Sequence, residues 1–297
     1  MINVINTESC KEFWDLISPE HSLITSISSG RLLYRGQLDC LDWYLTPALY
    51  RRQSLENAKY TLDSKLTIDE VIFFELRTLN SFVCYCDETG LPIPHDSPEF
   101  RAELDPNKAN VFTCSLKNPN LRLPSRIYTI IALAQHYGLP TRLLDWTRRS
   151  YVAAYFAASS AVRKSSRGKT NTEILSNRMA VWIFNTENMI LKLPNLEHIG
   201  VPPIYNRNLV AQSGQLLAFY PWLQTRDQAL SDCCFGIDQY VESRKADNCL
   251  WKITLPISEA PSILEKCNLH GISASTMFPD YYGIVRRIED DQACCRF

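Results

Sequence analysis

The chain reads as an α+β protein, a single large domain whose mixed or split central sheet is flanked by helices. Three observations predict this class. Apolar runs of strand length and apolar stripes of helical period occur together without a regular βαβ alternation. The 297 residues, 45% of them hydrophobic, suffice for a sizeable core. Ten glycines and no internal repeat leave little room for low-complexity linkers. The formal net charge of −1 supplies no global basic field for nucleic acid or an anionic membrane, so any basic site must be local.

The elements follow in order. Residues 1–31 predict an N-terminal helical segment, in which 8–18 form an amphipathic helix through Phe13, Trp14, Leu16 and Ile17. Leu32-Leu33-Tyr34 predicts a short buried strand that ends at a polar turn, Arg35-Gly36. Thr67-x-x-Glu70 has capping-box spacing and opens a helix with Ile68, Val71, Ile72, Leu76, Leu79, Phe82 and Val83 on one face. Gly90-Leu91-Pro92 stops it. Residues 91–122, rich in Pro, Asn and Asp, predict a surface insertion. A helix over 124–137 ends at Gly138, in a left-handed cap, before Pro140. An alanine-rich helix over 151–162 follows, with Asp145 or Thr147 as its cap. Strands are expected at 179–184, 216–220 and 250–255, with 221–248 as loop. A helix over 260–267 closes at His270-Gly271. The segment 277–288 reads as a helix broken or initiated at Pro279, and 289–297 as a C-terminal tail.

Several function classes drop out. GxxxxGK[ST], a strand-borne GxGxxG, HExxH and GxSxG are all missing from the sequence. The five histidines lack ligand spacing, so no metal is expected. Eleven cysteines without a CxxC predict reduced thiols. With no leader pattern and no long apolar run, the expected location is the cytoplasm, away from membranes.

Four clusters gather polar groups at element ends, where sites are usually built. Tyr34-Arg35-Gly36-Gln37 places a guanidinium fork beside a glycine that would let a ligand approach the backbone. Arg35 suits a phosphate or carboxylate, or else an internal ion pair with an acid such as Asp145. The string His136 to Thr147 holds Thr141, Arg142, Asp145 and Trp146 around what reads as a helix–turn–helix junction. His136 suits a general base or a helix-end cap. Arg142 and Asp145, three apart, suit a mutual pair, and Trp146 a stacking surface or core filler. Gln212 beside Gly214 offers amide contacts to a ligand or to buried backbone. Asp280, after Pro279, suits a catalytic carboxylate or a helix cap.

These clusters resemble the FRG domain family, named for an aromatic-Arg-Gly motif, here Tyr34-Arg35-Gly36 with the downstream Leu-x-Pro-x-Leu-x-Arg element at Leu45 to Arg51. The string His136 to Thr147 is similar to the family's longest motif. Asn206-x-x-x-x-x-Gln212-x-Gly214 and Phe278-Pro279-Asp280-x-x-Gly283 resemble its later ones, so the likeness spans about 32–288. It implies a bacterial or phage-associated setting, in antiphage defence or as a toxin with a possible antitoxin or defence-system partner. A weaker resemblance to ADP-ribosyltransferases implies NAD as substrate and a macromolecular acceptor, protein or nucleic acid. On that reading Tyr34, Arg35, Gly36, Gln37, Thr141, Arg142, Trp146 and Gln212 bind the cofactor. Asp145, Asp280 and His136 are the catalytic candidates. The alternatives are a non-catalytic nucleotide- or nucleic-acid-binding module, or a nuclease.

Overall fold

The computed structural model describes residues 2–27, 32–39, 45–62, 67–105, 122–166, 177–187, 189–202, 207–221 and 236–296. Seven strands form one mixed sheet: β1 (Asn3–Asn6), β2 (Leu32–Asp39), β3 (Leu143–Thr147), β4 (Arg178–Asn185), β5 (Leu196–Ile199), β6 (Gly214–Phe219) and β7 (Leu250–Pro256). Their order is β1-β7-β4-β2-β3-β6-β5, antiparallel throughout except for the edge pair β1–β7. The α+β class is therefore correct, and the chain opens with an edge strand where a helical segment was expected. Four residues that alternate half-buried and exposed give too brief a signal to read as a strand.

Before β3 lie α1 (Cys10–Leu16), α2 (Ser22–Ser26), α3 (Arg52–Leu62), α4 (Ile68–Thr89), α5 (Pro98–Leu104) and α6 (Ser125–His136). After it come α7 (Ser150–Ser166), α8 (Met189–Lys192), α9 (Arg207–Ala211), α10 (Ile237–Ser243), α11 (Ala260–Leu269), α12 (Ala274–Met277) and α13 (Tyr281–Cys294). The capping box at Thr67 forms, and Gly90 closes α4 at φ +69°. Two apolar clusters sandwich the sheet. One gathers α4, α5 and α6 with Trp146, Trp182 and Phe184. The other gathers α1, α7 and α11 with Tyr34, Val181 and Ile253.

Five further expectations are corrected. β2 does not end at Arg35-Gly36: all eight of its residues pair with β4, so the motif lies inside a strand. The stretch after Pro140 is β3, paired with β6 over five residues, so the junction is helix–turn–strand. Ile237, Tyr240 and Val241, spaced three and four apart, bury one face of α10 within the expected loop 221–248. The described part of the expected insertion carries α5, whose Phe100 and Leu104 enter the core, so 98–104 is no surface appendage. The tail from 289 also continues α13 as far as Cys294.

Candidate functional site: a cleft where the sheet parts

Helix α7 fixes the position of β2. Ala153, Ala154, Ala157, Ala158 and Ala161 are all fully buried, and their small side chains let the helix backbone approach the strand. A Cβ on residue 36 would lie 1.7 Å from the Ala153 carbonyl oxygen and 2.8 Å from the Ala157 nitrogen. Gly36 is thus required for helix–strand contact, and it also lines the cleft described next.

On its other edge β2 meets β3 through a single paired position, Tyr34 opposite Thr147. The strands run antiparallel, so Arg35 and Gly36 would next face Trp146 and Asp145, yet neither pair forms. The sheet parts there. A cavity of about 360 Å³ occupies the opening, lined among others by Tyr34, Arg35, Asp145, Trp146, Gln212 and Phe278. Polar groups converge on an apolar wall, the usual build of a small-molecule site, and the volume is at the low end for one.

Arg35 reaches across the opening. Its Nη1 donates to the Asp145 main-chain oxygen at 2.6 Å, and its Nε donates to Gln37 Oε1 at 3.4 Å. Burial pulls the guanidinium down to about 10, with Asp145 opposing and Arg51 reinforcing that shift, so it stays charged at neutral pH. Asp145 Oδ1 accepts from Gln135 Nε2 at 2.9 Å, and the residue is solvent-accessible although set deep in the cleft. Burial raises its carboxyl above the ordinary value, against the opposing pull of Arg35, Gln135 and Arg51. Two cations around one carboxylate leave a local positive excess within a chain of net charge −1. Tyr34 is buried, which lifts its phenol to about 12.

The remaining candidates divide. Gln37, Trp146, His136 and Gln212 line the cleft. His136 ends α6 and is exposed, with its ring edge-on to Tyr137. The Trp146 ring sits 5.6 Å from Phe184, and its buried Nε1 has no acceptor among the described residues. Gln212 ties the far wall together: Nε2 donates to the Met277 oxygen, and its own main-chain oxygen accepts from Thr147. Asn206, in the same motif, lies outside the described residues.

Thr141, Arg142 and Asp280 are not among the residues lining the cleft. Thr141 donates to Gln135 Oε1 and caps the start of β3 by accepting from the Leu143 nitrogen. Arg142 is 1% exposed and pairs with Glu75, at 2.7 Å from Nε and 2.5 Å from Nη2, rather than with Asp145. Asp280 is the N-cap of α13, accepting from the Gly283 nitrogen at 2.9 Å. These three have roles in the fold, and the cleft as described does not bring them together with Arg35 and Asp145. Asp145 and Thr147 sit in β3 instead of capping α7, although Thr147 Oγ1 does accept from the Arg149 nitrogen.

Sequence reasoning missed Gln135, Ser160, Asn208 and Phe278 as wall residues, and Glu75 as the partner of Arg142. A glutamate at the centre of an apolar helical face, between Ile72 and Leu79, was the available signal for Glu75.

The FRG domain model matches residues 93–166. That stretch runs from within the expected insertion through α6, β3 and α7, and contains the string His136 to Thr147. No curated protein and no solved structure matches the chain. The matched segment supplies Gln135, Asp145 and the α7 packing face of the cleft, and over those residues the chain is similar to the FRG domain.

Proposed function

We propose that the cleft binds NAD and that the chain cleaves its nicotinamide–ribose bond, passing ADP-ribose to a macromolecule or to water. The observation that carries this reading is the Asp145 carboxylate, accessible at the parting of β2 and β3 and oriented by Gln135, with Arg35 spanning the gap. A ribosyl cation needs a carboxylate beside it, and a pyrophosphate needs a guanidinium fork.

In the proposed step the C1′–N1 bond of NAD breaks, and its electron pair leaves with neutral nicotinamide. The ribosyl oxocarbenium charge develops beside Asp145, which stabilises it electrostatically. The lone pair of a water or acceptor nucleophile then forms the new bond to C1′, and its proton passes to Asp145 or to solvent. Tyr34, Trp146 and Phe278 provide apolar surface for the nicotinamide. About 360 Å³ suits one nucleoside half, so the pyrophosphate would sit at the mouth, near Arg35 and Arg51. His136 and Gln212 position the ligand from the two walls. The likeness to the FRG domain is what supports siting such chemistry in a bacterial defence or toxin system. A non-catalytic nucleotide-binding role uses the same arginines without Asp145.

The test is Asp145→Asn. NAD binding by calorimetry should persist while nicotinamide release is lost. Release that survives the substitution overturns the assigned role, and binding without release in the wild type favours the non-catalytic reading.

A further inference from the structure

Helix α13 has its polarity inverted on the outward side. Tyr281 is 92% exposed, and Tyr282, Ile284, Val285 and Ile288 are each more than half exposed. At about 100° per residue, Tyr281, Val285 and Ile288 lie at the centre of the outward face, opposite buried Gly283 and Asp290. A surface helix normally presents polar residues there. A continuous apolar face of this kind marks an interaction surface.

The charges beside the stripe identify its occupant. One flank carries Tyr282 and Arg286, then Glu289 one turn on; the other carries Arg287, then Asp291. Glu289 and Asp291 are exposed, and Arg286 Nη1 donates to the Tyr282 hydroxyl at 3.3 Å. In an antiparallel pair of identical helices each flank meets its own copy reversed. With Val285 and Ile288 at the centre, Glu289 then faces Tyr282 and Arg286 of the second copy. A parallel pair would set acid against acid. The positive N-terminal end of each helix also meets the acidic half of the other.

We infer that the chain forms a two-fold symmetric homodimer through antiparallel α13 helices, with Val285 and Ile288 packed at the centre. The interface is isologous and self-complementary, as a two-fold axis requires. It abuts the cleft, since Tyr282 packs edge-on against Phe278 at 5.8 Å and Phe278 lines the cavity. The inference does not depend on NAD chemistry.

Sedimentation velocity of the full chain, over low to high micromolar concentration, tests it. The wild type should sediment as a dimer. Ile288→Glu should weaken association at least about tenfold while keeping the wild-type melting temperature, because the residue is exposed in one chain. Glu289→Arg should weaken it too, and adding Arg286→Glu should restore it by reversing both partners. A wild type that is monomeric throughout overturns the inference and leaves the face to a different partner. A dimer indifferent to Ile288→Glu also overturns it, by placing the contact elsewhere.

Discussion

Replacing Glu75 by Gln preserves volume and removes one charge, which makes it a clean probe of the buried pair behind β3. Glu75 accepts two hydrogen bonds from Arg142, Oε1 from the main-chain nitrogen at 2.8 Å and Oε2 from Nε at 2.7 Å, and Oε2 lies 2.5 Å from Nη2 in the ion pair. A glutamine has one acceptor oxygen, so its amide nitrogen must confront an Arg142 donor. The guanidinium stays charged and 1% exposed, with the charge of Glu197 and the face of the Tyr220 ring, 5.3 Å away, left to offset it. Breaking a buried pair in this way costs about 3–5 kcal/mol. For a chain of this length that lowers the melting temperature by roughly 5–8 °C. Far-ultraviolet circular dichroism melts, with urea titrations at one temperature, measure the loss. The double variant Glu75→Leu/Arg142→Met should recover most of it, since two apolar side chains of similar size leave no buried charge. It should also retain nicotinamide release, because neither residue lines the cleft. A loss below about 1 kcal/mol for Glu75→Gln, or loss of NAD binding in a stably folded double variant, would refute the reasoning.

Three further outcomes are expected. Gly36→Ala should destabilise by about 3 kcal/mol or more, because its Cβ meets helix backbone that cannot rotate away, and a thermal melt equal to wild type would contradict this. Asp145→Asn should raise the melting temperature at pH 7 while abolishing nicotinamide release. The sign follows from the raised carboxyl: between its unfolded value, near 3.8, and its higher folded value the native chain holds a proton the unfolded chain has lost. Stability therefore falls as pH rises through that window, and Asn removes the penalty; a variant destabilised at pH 7 contradicts the assignment. The acid limb of the release–pH profile should consequently lie above 3.8, and a profile flat through the acid range would dissociate Asp145 from the chemistry.

The helices were the most legible part of the sequence because long amphipathic stretches announce themselves. Thr67, Gly90 and Gly138 mark ends that the fold places within a residue or two. β3 was not legible. Leu143 to Thr147 is five residues with no alternation, nearly all buried by neighbours on both sides, and its Asp-Trp-Thr end imitates a helix cap. Gly36 misled for a related reason: a glycine after a short apolar run resembles a turn, whereas its demand comes from α7, over a hundred residues away in the chain. The candidate site was legible as motifs but not as roles. Arg35, the adjacent pair Asp145 and Trp146, and Gln212 do meet at one cavity, although they come from three distant parts of the sequence. Arg142 and Asp280, from the same strings, turn out to be a buried ion pair and a cap, a distinction that depends on Glu75 and Gly283.

We propose that Arg35 and Asp145 flank an NAD site in the parted sheet. Incubating the purified chain with NAD, alone and with RNA, DNA or lysate protein, and reading nicotinamide release tests it directly, with Arg35→Ala beside the wild type. Release in at least one mixture, lost in the folded Arg35→Ala variant, is the predicted result. No release in any mixture, or release indifferent to Arg35, would contradict it.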